Sequence, residues 1–123
     1  MAIRQPLSST RLVVCASTDD AVDSAHGLVN ATPVGMHGHP GSAFERDLIM
    51  GKQWLFDAVY TPVETRLIKH AATARAAAIS GYELFFYQGL SAFALFSGRQ
   101  VDETTLRNAL AVPDDGNSTL SRP

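Results

Sequence analysis

The residues best suited to hold a ligand form one short stretch, Asn30-Ala-Thr-Pro-Val-Gly35, which follows an apolar pair typical of a strand end. Pro33 removes a backbone donor and favours an extended Thr32, so the strand must end there. Gly35 lets the backbone run close to another group because it has no Cβ. Ligands of open α/β sheets lie outside the carboxyl ends of the strands. The stretch therefore predicts one edge of a ligand site.

Three later polar residues are further candidates, and each has two interpretations. Asp57 could be a general acid or base, but no proton partner is evident, and a structural carboxylate bonded to loop amides is favoured. Tyr60 ends the same predicted strand and suits the core as well as a polar ligand. Gln88 interrupts a very apolar helix, and on this pattern alone a structural glutamine with satisfied hydrogen bonds is favoured.

A metal site is the alternative for the loop after Gly35. His37 and His39 have His-x-His spacing, and neutral imidazole is a common ligand. No cysteine or carboxylate follows with ligand spacing, and two histidines do not complete a site, so an exposed loop is favoured. His26 and His70 stand alone and are interpreted as surface or helix-end residues.

Strands and helices alternate along the predicted chain, which implies parallel pairing through helical crossovers. Short apolar runs predict strands at 12–15, 28–31, 54–60 and 76–79, and the strand at 54–60 is apolar enough to be buried on both faces. Capping residues and apolar spacing predict five helices: from Thr18 or Asp19 to His26, a short irregular one over 43–50, from Thr65 to Arg75, over 82–97, and from Asp102 to Leu110. The residues expected to face the core are Ala21, Val22 and Ala25 in the first helix and Phe44 and Leu48 in the second. In the third they are Leu67, Ile68, Ala71, Ala72 and Ala74. The helix over 82–97 is apolar nearly all round, so we expect it to be buried or to bridge two domains.

Composition is that of one ordinary domain. The chain has 123 residues, 46% of them hydrophobic, which suffices for a single core. A formal net charge of −2 offers no basic patch, so nucleic acid is not an expected partner. No apolar run reaches the length of a membrane span, so no membrane is expected either. Cys15 is the single cysteine, which fits a reducing cytoplasm.

Three ordered motifs resemble the shikimate dehydrogenase family, most closely its quinate/shikimate dehydrogenase branch. They are Asn30-Ala-Thr-Pro-Val-Gly-Met36 with the loop to Phe44, Asp57-Ala-Val-Tyr-Thr-Pro-Val-Glu-Thr65, and Gly81-Tyr-Glu-Leu-Phe-Phe-Tyr-Gln88 leading to Gly98. The resemblance covers about residues 27–110. It implies an α/β fold, the C-terminal half of a Rossmann-like NAD(P)-binding domain with about four parallel strands. We assign this partial domain to 12–112, after a loose lead-in at 1–11 and before a disordered tail at 113–123.

The resemblance also implies an activity and a set of roles. The family interconverts shikimate or quinate with the 3-dehydro forms by hydride transfer, using NAD or NADP. By resemblance, the substrate-binding residues are Tyr60 and Gln88, and the cofactor-binding residues are Asn30, Thr32, Ala58, Val59 and Gly81. Ala58 is smaller than its counterpart in many relatives, Ser80 stands where an Asp is frequent, and Glu83 stands where many carry glycine. The carboxylate of Glu83 could weaken cofactor binding or simply point to solvent.

Two parts of such an enzyme are not found in this sequence. No Gly-x-Gly-x-x-Gly turn occurs, and the proton-transfer Lys and Asp of the family belong to an N-terminal substrate domain. Lys52 and Lys69 match no family motif. We therefore expect the chain alone to be inactive, with the N-terminal half supplied elsewhere or with a homo-oligomer formed through exposed strand edge and apolar surface. The alternative is a catalytically silent remnant or an interaction module.

Overall fold

The computed structural model describes residues 11–111, so the predicted tail at 113–123 and nearly all of the lead-in lie outside the described residues. Strands and helices alternate as expected. The elements are α1 (Thr18–Asp23), β1 (Gly27–Asn30), a 3-10 helix (Arg46–Leu48), β2 (Trp54–Asp57), α2 (Arg66–Ala74), β3 (Ala77–Ser80), α3 (Gly81–Ser97) and α4 (Glu103–Leu110).

The strands form one parallel sheet in the order β1-β2-β3. Asn30 pairs with Asp57, and Asp57 with Ser80, so all three strands reach their carboxyl ends at one level. The described residues thus form a parallel sheet of three strands, one fewer than the predicted number of about four. Residues 12–15 are not a strand, and Leu12 and Val14 are each 91% exposed. An apolar run predicts burial only if a neighbouring strand offers hydrogen bonds, and no strand within residues 11–111 pairs with this run.

The core lies on one face of the sheet, against α1, α2 and the 3-10 helix. Its buried side chains are Val22, Leu28, Ile49, Leu55, Leu67 and Ala71, with the half-buried Phe44 and Leu48 packed against them as predicted. The other sheet face is open, and the prediction that β2 is buried on both faces was wrong. Leu55 is 1% exposed, but Trp54 is 52% exposed, and Val29 and Ile79, the register partners of Phe56, are 49% and 58% exposed. We call Val29, Trp54 and Ile79 the exposed sheet face.

The ends of α1 and α2 depend on single hydroxyl groups. Ser17, not Thr18 or Asp19, caps α1 by accepting a hydrogen bond from the Asp19 amide at 3.2 Å. The helix stops at Asp23 rather than His26, so Ala21 is exposed and only Val22 is buried. Thr65 caps α2 as predicted, accepting from the amide of Ile68 at 3.2 Å.

The buried side of α2 is narrower than predicted. Leu67 and Ala71 are buried, whereas Ala72 is exposed because it lies one helical position beyond the packed stripe. His70 is half-buried in mid-helix rather than at a surface or helix end, and its Nδ1 is buried without a hydrogen-bond partner.

A division after Gly81 separates the chain into two compact units. The described part of the second contains α3 and α4. Gly98 ends α3 in the left-handed region (φ 67°), and Asp102 caps α4 by accepting from the Thr105 amide at 2.8 Å, both as predicted. Along α3 only Phe86 is fully buried among the large apolar residues, and Phe96 is 87% exposed. Within its own unit α3 is therefore not buried, so the first of the two expectations for this helix was wrong, and a bridge between two domains stays a prediction. No helix of the described chain is long and apolar enough to cross a membrane.

Candidate functional site

Asn30 is the centre of the turn that follows β1. Its side chain is 1% exposed, and both amide hydrogens are used, one on the Val34 carbonyl at 3.0 Å and one on Asp57 Oδ1 at 2.9 Å. Its Oδ1 accepts from the Thr32 amide at 3.0 Å and the Thr32 hydroxyl at 2.6 Å. All hydrogen-bonding groups of the Asn30 side chain are therefore occupied within the chain, and they stabilise the turn.

The loop after this turn is held by its own backbone and by the next loop. Gly35 has a φ of 101°, which a residue with a Cβ rarely adopts, and its amide donates to the His39 carbonyl at 2.7 Å. The His37 amide donates to the Thr61 carbonyl at 3.3 Å, which joins the loops after β1 and β2. Thr32, His37 and His39 are exposed. Among residues 11–111, no three His, Cys, Asp or Glu side chains are grouped to hold a metal ion.

Asp57 ends β2 and is fully buried, at 0% exposure. Its Oδ1 accepts from Asn30 Nδ2 and from the Val59 amide at 3.1 Å, and its Oδ2 accepts from the Thr65 hydroxyl at 2.6 Å. The structural interpretation of this carboxylate, bonded to a loop amide at a strand end, is confirmed. One carboxylate thus joins the ends of β1 and β2 to the start of α2.

Three of the predicted cofactor residues meet where β3 passes into α3. A Cβ built on Gly81 would lie 2.5 Å from the Ala58 carbonyl oxygen and 2.6 Å from that of Val59. Only glycine can make this approach without moving backbone. Val59 is 5% exposed and Tyr60, the next residue, is 49% exposed at the same edge. The structure therefore brings Ala58, Val59 and Gly81 into contact.

Gln88 belongs to the second unit, where it is exposed on α3. Glu83, near the start of the same helix, is paired with Arg107 of α4 through two hydrogen bonds of 2.8 and 3.1 Å. Those hydrogen bonds lower the pKa of Glu83 and raise that of Arg107, which also bonds Glu103 at 3.0 Å. Neither sequence interpretation of Glu83 included this pair. The guanidinium carbon of Arg107 also lies 4.0 Å from the centre of the Phe86 ring.

An apolar groove of about 280 Å³ lies between α3 and α4. It is lined by Phe85, Phe86, Gly89, Phe93, Val101, Leu106 and Leu110. Nothing lies within 4 Å of a Cβ built on Gly89, so the groove is open at this residue. Such a surface can accept an apolar chain segment.

Gln53 is a buried polar residue that sequence reasoning missed. It is 2% exposed, donates to the carbonyls of Val22 and Ala25 at 2.9 and 3.0 Å, and accepts from the Met50 amide at 2.9 Å. It fastens the end of α1 to the start of β2, opposite the candidate site. Arg107 was also missed, because a single Arg on a helix does not reveal its partner.

Comparison with known proteins was made for the whole chain. No family model matches it. The quinate/shikimate dehydrogenase (NAD(+)) of Corynebacterium efficiens is 38% identical over 89 residues, which are 72% of this chain and 31% of the relative. The shikimate dehydrogenase (NADP(+)) of an Arthrobacter species is 32% identical over 102 residues, 83% of this chain and 35% of the relative. The matched part of the chain belongs to the shikimate dehydrogenase family.

Solved structures of the family agree with this assignment. The quinate dehydrogenase from Corynebacterium glutamicum in complex with NAD superposes with a TM-score of 0.69 at 37% identity, over 75% of this chain and 33% of that one. The shikimate dehydrogenase from Aquifex aeolicus gives 0.66 at 28% identity, over 79% and 36%. The predicted family and the α/β fold class are confirmed. The chain spans about a third of the length of these shikimate dehydrogenase relatives.

Proposed function

We propose that this chain supplies the nicotinamide side of an NAD(P)-dependent dehydrogenase that interconverts shikimate or quinate with the 3-dehydro form. The observation that carries the proposal is the contact of Gly81 with the Ala58 and Val59 carbonyls at the carboxyl edge of the sheet. In open α/β sheets this edge is where ligands bind. Relatives in the same family are named for NAD(+) or NADP(+), and one was solved with NAD.

The proposed roles follow the geometry of each residue. The backbone at Ala58, Val59 and Gly81 receives the nicotinamide. Asn30 and Thr32 act through the turn they form, because the Asn30 side chain has no hydrogen-bonding group left for a ligand. Tyr60 and Gln88 are the proposed substrate contacts, and both are exposed in their own units, where a ligand can reach them.

A nicotinamide held against the backbone of Ala58, Val59 and Gly81 would supply the hydride chemistry that the oxidation of a secondary alcohol requires. The hydroxyl proton must then pass to a base. Asp57 is not that base, because it is buried and its carboxylate is occupied by three donors. We propose that the base and the glycine-rich phosphate loop come from another polypeptide segment. A cytoplasmic location is part of the same proposal, in keeping with the single, exposed and unpaired Cys15.

Two measurements on the isolated ¹⁵N-labelled chain test this function. We expect NAD⁺ or NADP⁺ to shift the amide signals of Ala58, Val59 and Gly81 more than those of α1, in keeping with weak binding by a partial site. We expect no NAD(P)H formation with shikimate or quinate. Cofactor that shifts no signal at this edge would contradict the cofactor role, and turnover by the isolated chain would contradict the need for a further segment.

A second candidate function, a silent remnant that acts as an interaction module, is favoured by a different observation. The exposed sheet face and the apolar groove between α3 and α4 both offer exposed apolar surface. Either surface could serve a homo-oligomer or the missing N-terminal part. The cofactor titration separates the two functions, since an interaction module has no reason to respond at Gly81.

A further inference from the structure

We infer that Asp57 is the positioning residue of the cofactor edge: its carboxylate sets the direction of the Ala58 carbonyl against Gly81 and couples that carbonyl to the start of α2. The inference deepens the proposed function and rests on it for the identity of the ligand. The geometry itself lies entirely within the first unit.

The first step concerns what surrounds the carboxylate. The Asn30 amide group, the Val59 amide and the Thr65 hydroxyl all donate to Asp57. Two oxygens that only accept can satisfy three donors, whereas an asparagine would present a donor to at least one of them. The side chain is fully buried, so hydrogen-bond donors must offset the cost of removing its negative charge from water. The positive end of the α2 helix dipole, at Thr65, stabilises the carboxylate further.

The second step follows the peptide that joins Ala58 to Val59. The Val59 N–H donates inward to Asp57 Oδ1 at 3.1 Å. In a trans peptide the N–H and the preceding C=O point in opposite directions. Fixing the Val59 N–H on Asp57 therefore turns the Ala58 carbonyl outward, to the position where it would lie 2.5 Å from a Cβ at Gly81. The preceding amide, that of Ala58, is held on the Asn30 carbonyl at 2.9 Å.

The third step concerns Thr65, which shares its hydroxyl between two partners. It donates to Asp57 Oδ2 at 2.6 Å and accepts from the Ile68 amide at 3.2 Å. Thr65 is itself 0% exposed, so water cannot replace either bond. Loss of this hydroxyl leaves one carboxylate oxygen without its donor, and the carboxylate can then turn away from Val59. Loss of the Thr65 hydroxyl should thus loosen the Ala58–Val59 peptide.

Hydrogen exchange of the intact chain tests this coupling, with the Leu55 amide as the internal reference for opening of the whole unit. We expect Asp57→Asn to speed exchange of the Val59 amide up to about tenfold more than that of Leu55, because a neutral amide oxygen accepts the hydrogen bond more weakly than a carboxylate does. Thr65→Val should act in the same direction, and Thr65→Ser, which keeps the hydroxyl, should restore the ratio. Asp102→Asn is the matched control, since it changes a capping carboxylate on α4 and should leave the ratio unaltered.

The inference is overturned if Asp57→Asn and Thr65→Val speed Val59 and Leu55 by the same factor, because the carboxylate would then serve stability alone. If Asp57→Asn does not fold, the Thr65→Val and Thr65→Ser pair decides. Titration with NAD⁺ then separates the inference from the proposed function. A wild-type chain that shows no shift at Ala58, Val59 and Gly81 contradicts the cofactor role, whereas the exchange ratios still decide the positioning role.

Discussion

Asn30 and Asp57 are register partners on neighbouring parallel strands, and their side chains are hydrogen-bonded at 2.9 Å where both strands end. Neither side chain is open to solvent. The amide forms the turn after β1, and the carboxylate orders the loop after β2, so one contact joins the two loops that border the candidate site. The buried polar pair therefore orders both loops at this edge of the sheet.

Removal of the Asn30 amide should therefore be costly. Asn30→Ala leaves Asp57 without one donor and the Val34 carbonyl and Thr32 groups without their partner, so we expect a loss of about 2–3 kcal/mol in the free energy of unfolding. Urea denaturation measures it. Thr32→Ala, at an exposed position of the same turn, should cost less than about 1 kcal/mol. Equal losses for the two variants would contradict the central place of Asn30.

Two glycines offer a matched test of backbone contact. Gly81→Ala places a methyl group against the Ala58 and Val59 carbonyls, so backbone must move, and we expect a loss of about 2 kcal/mol or more. Gly89→Ala, inside α3 and with nothing within 4 Å of the new Cβ, should instead stabilise by about 0.5–1 kcal/mol. Thermal unfolding compares them. A neutral Gly81→Ala would show that this junction is not closely packed.

The Glu83–Arg107 pair should make the contact between α3 and α4 sensitive to acid. The hydrogen bonds from Arg107 hold the pKa of Glu83 below its ordinary value. The stabilisation is therefore present above the unfolded-state pKa and is lost as the pH falls through the lower folded-state pKa. We expect the signals of α4 to broaden or shift in that acidic range, and Glu83→Gln to show the same change at neutral pH. Because Glu83 is 41% exposed, added salt should weaken the effect. If neither acid nor Glu83→Gln alters the signals of α4, the Glu83–Arg107 pair does not stabilise the contact between α3 and α4.

The exposed sheet face should drive self-association. Val29, Trp54 and Ile79 expose apolar side chains on one face of a parallel sheet, a kind of sheet that is normally covered on both faces. We expect light scattering to show oligomers, and the double change Val29→Thr and Ile79→Thr to lower their mass while keeping β-branched residues in the strands. Trp54 is the single tryptophan, so its emission reports burial of this face directly. Leu95→Gln, on α3, is the control for general loss of apolar surface. A compact monomer at every concentration would contradict this account.

The sequence predicted those features that depend on local chemistry. The cap at Thr65, the stop at Gly98, the cap at Asp102 and the structural use of Asp57 each follow from a residue and its near neighbours. The family motifs assigned Ala58, Val59 and Gly81 to one cofactor site, which stays a prediction, and Gly81 lies against the Ala58 and Val59 carbonyls although it is distant from both in the chain.

What the sequence did not predict depends on partners distant in the chain. An apolar run at 12–15 predicts a strand, but nothing local shows whether a neighbouring strand pairs with it. The apolar β2 likewise predicts two buried faces, although only one is covered. Gln53 and Arg107 find their roles through residues 24 to 31 positions away, which no periodic pattern reveals.

The most direct test of the proposed function replaces the matched segment of the Corynebacterium glutamicum quinate dehydrogenase with residues 12–112 of this chain and follows NADH formation with quinate and shikimate. We expect turnover by the hybrid, reduced about tenfold to a hundredfold by Gln88→Ala, as for loss of one hydrogen bond to substrate, and retained in the adjacent Gly89→Ala control. A folded hybrid that reduces no cofactor with either substrate would contradict the account.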